Sequence, residues 1–206
     1  MNIIPTILEK SWEEIEAKFK IYEKFAKAVH IDFLDGKFEE NLTFLDTQPF
    51  SKYSSYFELE AHLMVEEPIN YLEGLSKAVF KTFLGQIEKM TDQVEFVAKG
   101  EALGAVGLAL DIETPISDIK IPYDDLDRIL LMGIHAGASG RPFDERVYIK
   151  AKSLSESDFI NIQVDGGVND QTLPLLKNAG ASIFCVNSFL FKGDPGEQYR
   201  ILESLM

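Results

Sequence analysis

A chain of 206 residues, 46% of them hydrophobic and 11% aromatic, has the material for one domain with a substantial core. Its 34 Asp and Glu against 20 Lys and Arg leave a formal net charge of -14, which argues against nucleic acid and anionic membrane surfaces as partners. A small phosphorylated ligand stays compatible, because a few backbone N–H groups and one local cation outweigh a distant field.

The opening MNIIPTILEKSWEE lacks a basic segment followed by a long apolar one, and no apolar run reaches bilayer length, so a cytoplasmic location is expected. NIIPTIL (2–8) is the first strand candidate. SWEEIEAKFKIYEKFA (11–26) follows as a helix, with Ser11 at the N-cap and Glu14 at the capping-box position. AVHIDFL (28–34), YFELEAHLMV (56–65) and AVFKTFLGQI (78–87) are further strand candidates, and TDQVEFVAKGEAL (91–103) is a helix with a polar start. AVGLALDI (105–112), RILLMGIHA (128–136) and NIQVDGG (161–167) precede a third helix, NDQTLPLLKNAG (169–180), closed by Gly180. SIFCVNSF (182–189) is the eighth strand candidate, and its Cys185, the lone cysteine, is expected to be a buried, inert thiol in a reducing compartment.

Runs such as AVGLAL and ILLMGI are apolar at consecutive positions, as in parallel strands covered on both faces. With no repeat, low-complexity tract or linker, eight β-then-α units predict a single-domain (β/α)8 TIM barrel over residues 1–206, with an open doubly wound sheet as the alternative. The length is near the short limit for a barrel, so several helices must be brief. Barrel closure puts the active site at the C-terminal ends of the strands.

Residues two apart on a strand share a face, so His30, Asp32 and Leu34 point one way and Ile31 and Phe33 the other. His62 near the end of the third strand shares a face with Met64, and Asp165 is the last side chain before Gly166 and Gly167. Taken singly, each histidine reads as a hydrogen-bonded core residue and each aspartate as a loop cap. Two histidines and two carboxylates at equivalent strand ends read as a site for one divalent cation, with Zn, Fe, Mn and Co all open. The DGG turn and the Asn187-Ser188 segment after strand eight lie where barrels hold a substrate phosphate, although DGG alone is also an ordinary turn. HAGASGRPF after strand six offers Arg141 either as a lid or phosphate contact or as a solvent-exposed cation. His135 has no nameable partner and reads as a polar loop residue; Met64 and Met132 are core candidates close to the site.

PTIL, HIDFLDGKFEENLTF, EAHLMVEEP, GLALDIETP, ILLMGIHAGASGRPF, VDGGVNDQT and AGASIFCVNSFLF fall in this order along nearly the whole chain. In order, spacing and residue type the sequence resembles the ribulose-phosphate 3-epimerase family. The resemblance implies that His30, Asp32, His62 and Asp165 bind a divalent metal. It further implies that Asp32 and Asp165 are the acid/base pair that inverts C3 of D-ribulose 5-phosphate to give D-xylulose 5-phosphate through an enediolate. Thr6, His62, Met64, Met132, Gly137, Ser139, Gly140, Arg141, Gly166, Gly167, Asn187 and Ser188 fall at the substrate-facing positions.

The pattern is not followed everywhere. Thr6 replaces a serine, Leu34 a methionine and Gln86, two before Glu88, a histidine, while Ala136 to Arg141 replace a PGFGGQ-like lid and Asn187 a glycine. These departures keep two alternatives open: an epimerase of another ketose phosphate, such as a ketohexose 6-phosphate, and a catalytically weakened paralogue that binds metal and sugar phosphate. A homo-oligomer is expected, with Tyr53, Tyr56 and Phe57 as surface or core candidates.

Overall fold

The eight apolar runs form eight parallel strands that close into a barrel in chain order, in a computed structural model that describes residues 2–206. They are β1 (Asn2–Ile7), β2 (Ala28–Leu34), β3 (Glu58–Met64), β4 (Thr82–Gln86), β5 (Ala105–Leu110), β6 (Arg128–Met132), β7 (Ile162–Asp165) and β8 (Ile183–Val186). The helices are α1 (Trp12–Tyr22), α2 (Leu72–Lys77), α3 (Gln93–Glu101), α4 (Arg146–Ser155), α5 (Thr172–Asn178) and α6 (Pro195–Glu203). The (β/α)8 barrel expected from the sequence is the fold observed. Among the described residues no helix is long and apolar enough to cross a membrane.

Two connections carry no α-helix. A 3-10 turn at Gln48–Tyr53 spans β2 to β3, and the turns Ile116–Asp118 and Tyr123–Asp125 span β5 to β6, which is how the barrel closes in a short chain. Aromatic rings replace the missing helix after β2. Phe50, Tyr53 and Phe57 are buried against α1, where Phe19 stacks on Tyr53 with centroids 4.2 Å apart and Trp12 meets Phe50 edge-on at 5.3 Å. Each such ring removes a large apolar area from water, so the cluster contributes several kcal/mol. Tyr53 and Phe57 are therefore core, and of the three aromatics considered for self-association Tyr56 alone is exposed.

The strands are shorter than the apolar runs. β4 begins at Thr82 because Ala78 caps α2 and Val79 takes a left-handed φ of 68°. At the other ends, Leu8, Ile134 and Ala136 leave the ladder yet stay apolar, because they pack on Leu34, Met64 and Met132 at the C-terminal rim. Ser11 forms the expected capping box with Glu14, and Gly180 adopts the positive φ, 103°, that ends α5.

Alternation sorts the side chains of β2. Val29, Ile31 and Phe33 join the core between sheet and helices, while His30, Asp32 and Leu34 face the barrel axis. Below the rim the interior holds a polar layer of His30, Glu60 and Gln163, all buried.

Candidate active site

Ladder register sets the site. β2 and β3 pair so that Asp32 lies beside His62, β1 and β2 so that Thr6 lies beside His30, and β6 and β7 so that Met132 lies beside Asp165. Asp32 Oδ1 sits 2.9 Å from His62 Nδ1 and 3.3 Å from His30 Nε2. One donor atom from each of His30, Asp32, His62 and Asp165 lies within 4.8 Å of every other. The four residues that the sequence grouped are thus brought together. Both histidines are fully buried, Asp32 nearly so, and Asp165 is half-buried where the cleft opens.

His30 Nε2 is buried, and its 3.3 Å approach to Asp32 Oδ1 is an ion-pair distance without hydrogen-bond geometry. A buried ring nitrogen left unsatisfied among two carboxylates and a second imidazole fits a divalent cation, for which this is a suitable nitrogen and oxygen donor set. The other nitrogen, Nδ1, lies 2.5 Å from Glu60 Oε1. Glu60 also accepts from the Arg128 guanidinium and the Gln163 amide, so its carboxylate is anchored and holds the ring with Nε2 toward the cleft. Glu60 was not among the expected residues. The signal for it is the period-two alternation of EAH, which puts Glu60 and His62 on one inward face.

The two aspartates titrate in opposite directions. Burial alone pushes the Asp32 carboxyl up, but the close contacts and charge of His30 and His62 outweigh it and hold Asp32 well below the usual carboxylate range. Asp165 is pushed up to about 6 by burial and by the neighbouring Asp32 charge. Burial lowers His30, yet contacts with Cys185, Asp32 and Glu60 raise it well above an ordinary histidine. Cys185 itself is buried, as expected, and its thiol is pushed up to about 12, chiefly by burial.

Above the four residues lies a cleft open to solvent, with a cavity of about 80 Å³. Thr6, Met64, Met132, Gly137, Ser139, Gly140, Arg141, Gly166, Gly167, Asn187 and Ser188 all line it with Asp32 and Asp165, whereas His30 and His62 lie beneath its surface. The turn after β7 requires glycine: Gly166 and Gly167 have φ of 93° and 72°, and a Cβ on Gly167 would stand 2.5 Å from Phe143 Cδ2. Among the described residues, the N–H groups of Gly167 and Ser188 donate to no protein acceptor.

Arg141 is neither free in solvent nor available as a bare cation. Its guanidinium donates to the carbonyls of His135 and Ala136 and pairs with Glu39 Oε2 at 3.1 Å. Asn41 Nδ2 donates to Gly137 O at 2.9 Å, so two residues after β2 fasten the loop after β6. His135 does have partners: it stands 3.5 Å from Asp111 and 3.7 Å from Glu113, half exposed at the rim. Gln86 is buried away from the cleft, its amide oriented to donate to Glu88 Oε2 and Ala109 O, each at 2.8 Å.

The profile described as "Ribulose-phosphate 3 epimerase family" matches residues 2–191. A protein named ribulose-phosphate 3-epimerase from Bacillus subtilis is 30% identical over 204 residues, spanning 93% of this chain and 92% of its own. One of the same name from Aquifex aeolicus is 30% identical over 216 residues, spanning 99% and 96%. Among solved structures, 3-keto-L-gulonate-6-phosphate decarboxylase from Vibrio cholerae shares the fold with a TM-score of 0.72 at 10% identity, over 98% of this chain and 95% of that one.

Proposed function

From the premise that the chain belongs to the ribulose-phosphate 3-epimerase family, we propose that it interconverts D-ribulose 5-phosphate and D-xylulose 5-phosphate with Asp32 and Asp165 as the acid/base pair. The observation that carries this reading is the convergence of Asp32 and Asp165 with His30 and His62 at one cleft, a donor atom of each lying within 4.8 Å of every other. Two titratable groups whose environments push them apart are what an acid and a base need.

Epimerisation beside a ketone removes a proton from one face of C3 and returns one to the other. Strands β2 and β7 are separated by β1 and β8 around the closed barrel, so their side chains approach the axis from different directions and suit the two faces. The histidines keep Asp32 ionised and ready to accept a proton. Asp165, pushed up to about 6, holds a proton more readily and is suited to donate it to the opposite face. In the reverse direction the roles exchange. Met64 and Met132 line the cleft between them and exclude water from the carbanionic centre.

The residues that would hold the divalent cation are His30 through Nε2, His62, Asp32 and Asp165. When bound, such a cation supplies Lewis-acid stabilisation of the negative charge that develops on the substrate oxygens. The free N–H groups of Gly167 and Ser188 support a phosphate held at the loops after β7 and β8. A local backbone grip of this kind offsets the repulsion from the chain's acidity.

The test is turnover of D-ribulose 5-phosphate by the metal-loaded protein, compared with Asp32→Asn and Asp165→Asn. Loss of about a thousandfold or more in kcat in both variants is expected. The fastened loop Ala136 to Arg141 and the replacement at Leu34 favour one second reading, a ketohexose 6-phosphate as substrate. Turnover confined to that sugar would establish it.

A further inference from the structure

Behind the loop after β8 lies an interaction that the reaction above does not use. Lys18 of α1 is long and flexible, yet its side chain is only 14% exposed. Its Nζ donates to Asn187 Oδ1 at 2.9 Å, pairs with Glu9 Oε1 at 2.7 Å and stands 5.0 Å from the centroid of the Phe191 ring. Three separate segments thus pin one ammonium, at a considerable cost in side-chain entropy.

The consequence falls on Asn187. Asn187 lines the cleft, its side-chain carbonyl oxygen is taken by an ammonium, and among the described residues its Nδ2 donates to no protein acceptor. An amide whose acceptor is satisfied by a cation presents two N–H donors, polarised by that cation. Next to it is the free N–H of Ser188. Arg141, the cation that lines the cleft, is already engaged by Glu39 and two carbonyls.

We propose that Lys18 is a positioning residue for the phosphate end of the substrate, holding Asn187 Oδ1 so that the Asn187 amide donates to the phosphate oxygens. This inference rests on the ketose phosphate reading, and its test separates the two.

Wild type, Lys18→Met, Asn187→Gly and the double variant are assayed for kcat and KM with D-ribulose 5-phosphate, and inorganic phosphate binding is titrated by calorimetry on the same proteins. Lys18→Met is expected to raise KM and the phosphate Kd about tenfold, the scale of one charge-assisted hydrogen bond, with kcat within about twofold. In the Asn187→Gly background the same substitution adds less than about twofold, because the residue through which it acts is gone. Equal effects in both backgrounds, unchanged KM and Kd, or a wild type that binds no phosphate overturn the proposal. If Lys18→Met does not fold, Asn187→Leu decides: it removes the amide donors without adding a charge. A Kd weakened at least about tenfold supports the inference, and an unchanged Kd overturns it. A wild type that binds phosphate through this pair but does not turn over the pentose sinks the substrate reading alone.

Discussion

Asp165→Asn is predicted to stabilise the metal-free protein at neutral pH while abolishing epimerisation. The folded carboxyl is raised from the ordinary 3.8 to about 6, by burial and by Asp32. Its folded state therefore binds more protons than its unfolded state between those values, and stability falls as pH rises through that window. At about 1.4 kcal/mol per pH unit, the ionised carboxylate costs the metal-free fold up to about 3 kcal/mol above pH 6. Asparagine has nearly the same shape and carries no charge. Thermal melts in excess chelator should show the variant above wild type by up to about 10 °C at pH 8, the gap closing as pH is lowered towards 4. With metal present the sign reverses, because a ligand has been lost and binding no longer favours the folded state as strongly. A variant that melts at or below wild type at pH 8 in chelator would refute the reasoning, since Asp165 would then not be a strained carboxylate.

Further substitutions probe the layers around it. Glu60→Gln removes the carboxylate that holds His30 Nδ1 and should weaken metal affinity about 10- to 100-fold in a chelator competition, with a far-ultraviolet spectrum like that of wild type. Phe50→Ala empties the centre of the aromatic cluster that replaces a helix after β2, and denaturant melts should register a loss of about 3–5 kcal/mol. Gly167→Ala forces a Cβ onto Phe143 at a φ of 72°. It should cost at least about 1–2 kcal/mol of stability and raise KM by disturbing the turn after β7. A Gly167→Ala protein with unaltered melting and KM would show that the turn has room to relax.

How far the sequence predicted this molecule depended on whether a feature is local. The inward face of β2 follows from alternation, so His30 and Asp32 were legible side by side, as were His62 and the Asp165-Gly166-Gly167 turn. Strand ends were not legible, because Ile134 and Ala136 are apolar for the sake of the rim core and not for a ladder. α6 begins with Asp194 capping Glu197 and Pro195 in the first turn, a readable start signal. α4 buries Val147, Ala151 and Leu154, a helical spacing diluted by the β-branched and aromatic residues between them. The contacts of Lys18 with Asn187 and of Arg141 with Glu39 join residues far apart in the chain. Only the closed barrel brings such residues together, and no local pattern announces them.

The central claim is that two carboxylates exchange a proton at C3, and incubation of D-ribulose 5-phosphate with the metal-loaded protein in deuterated water tests it most directly. The account predicts that D-xylulose 5-phosphate forms with deuterium at C3, and that both product and label are lost in Asp32→Asn and Asp165→Asn. Product free of deuterium at C3, or label and turnover retained in either variant, would contradict it.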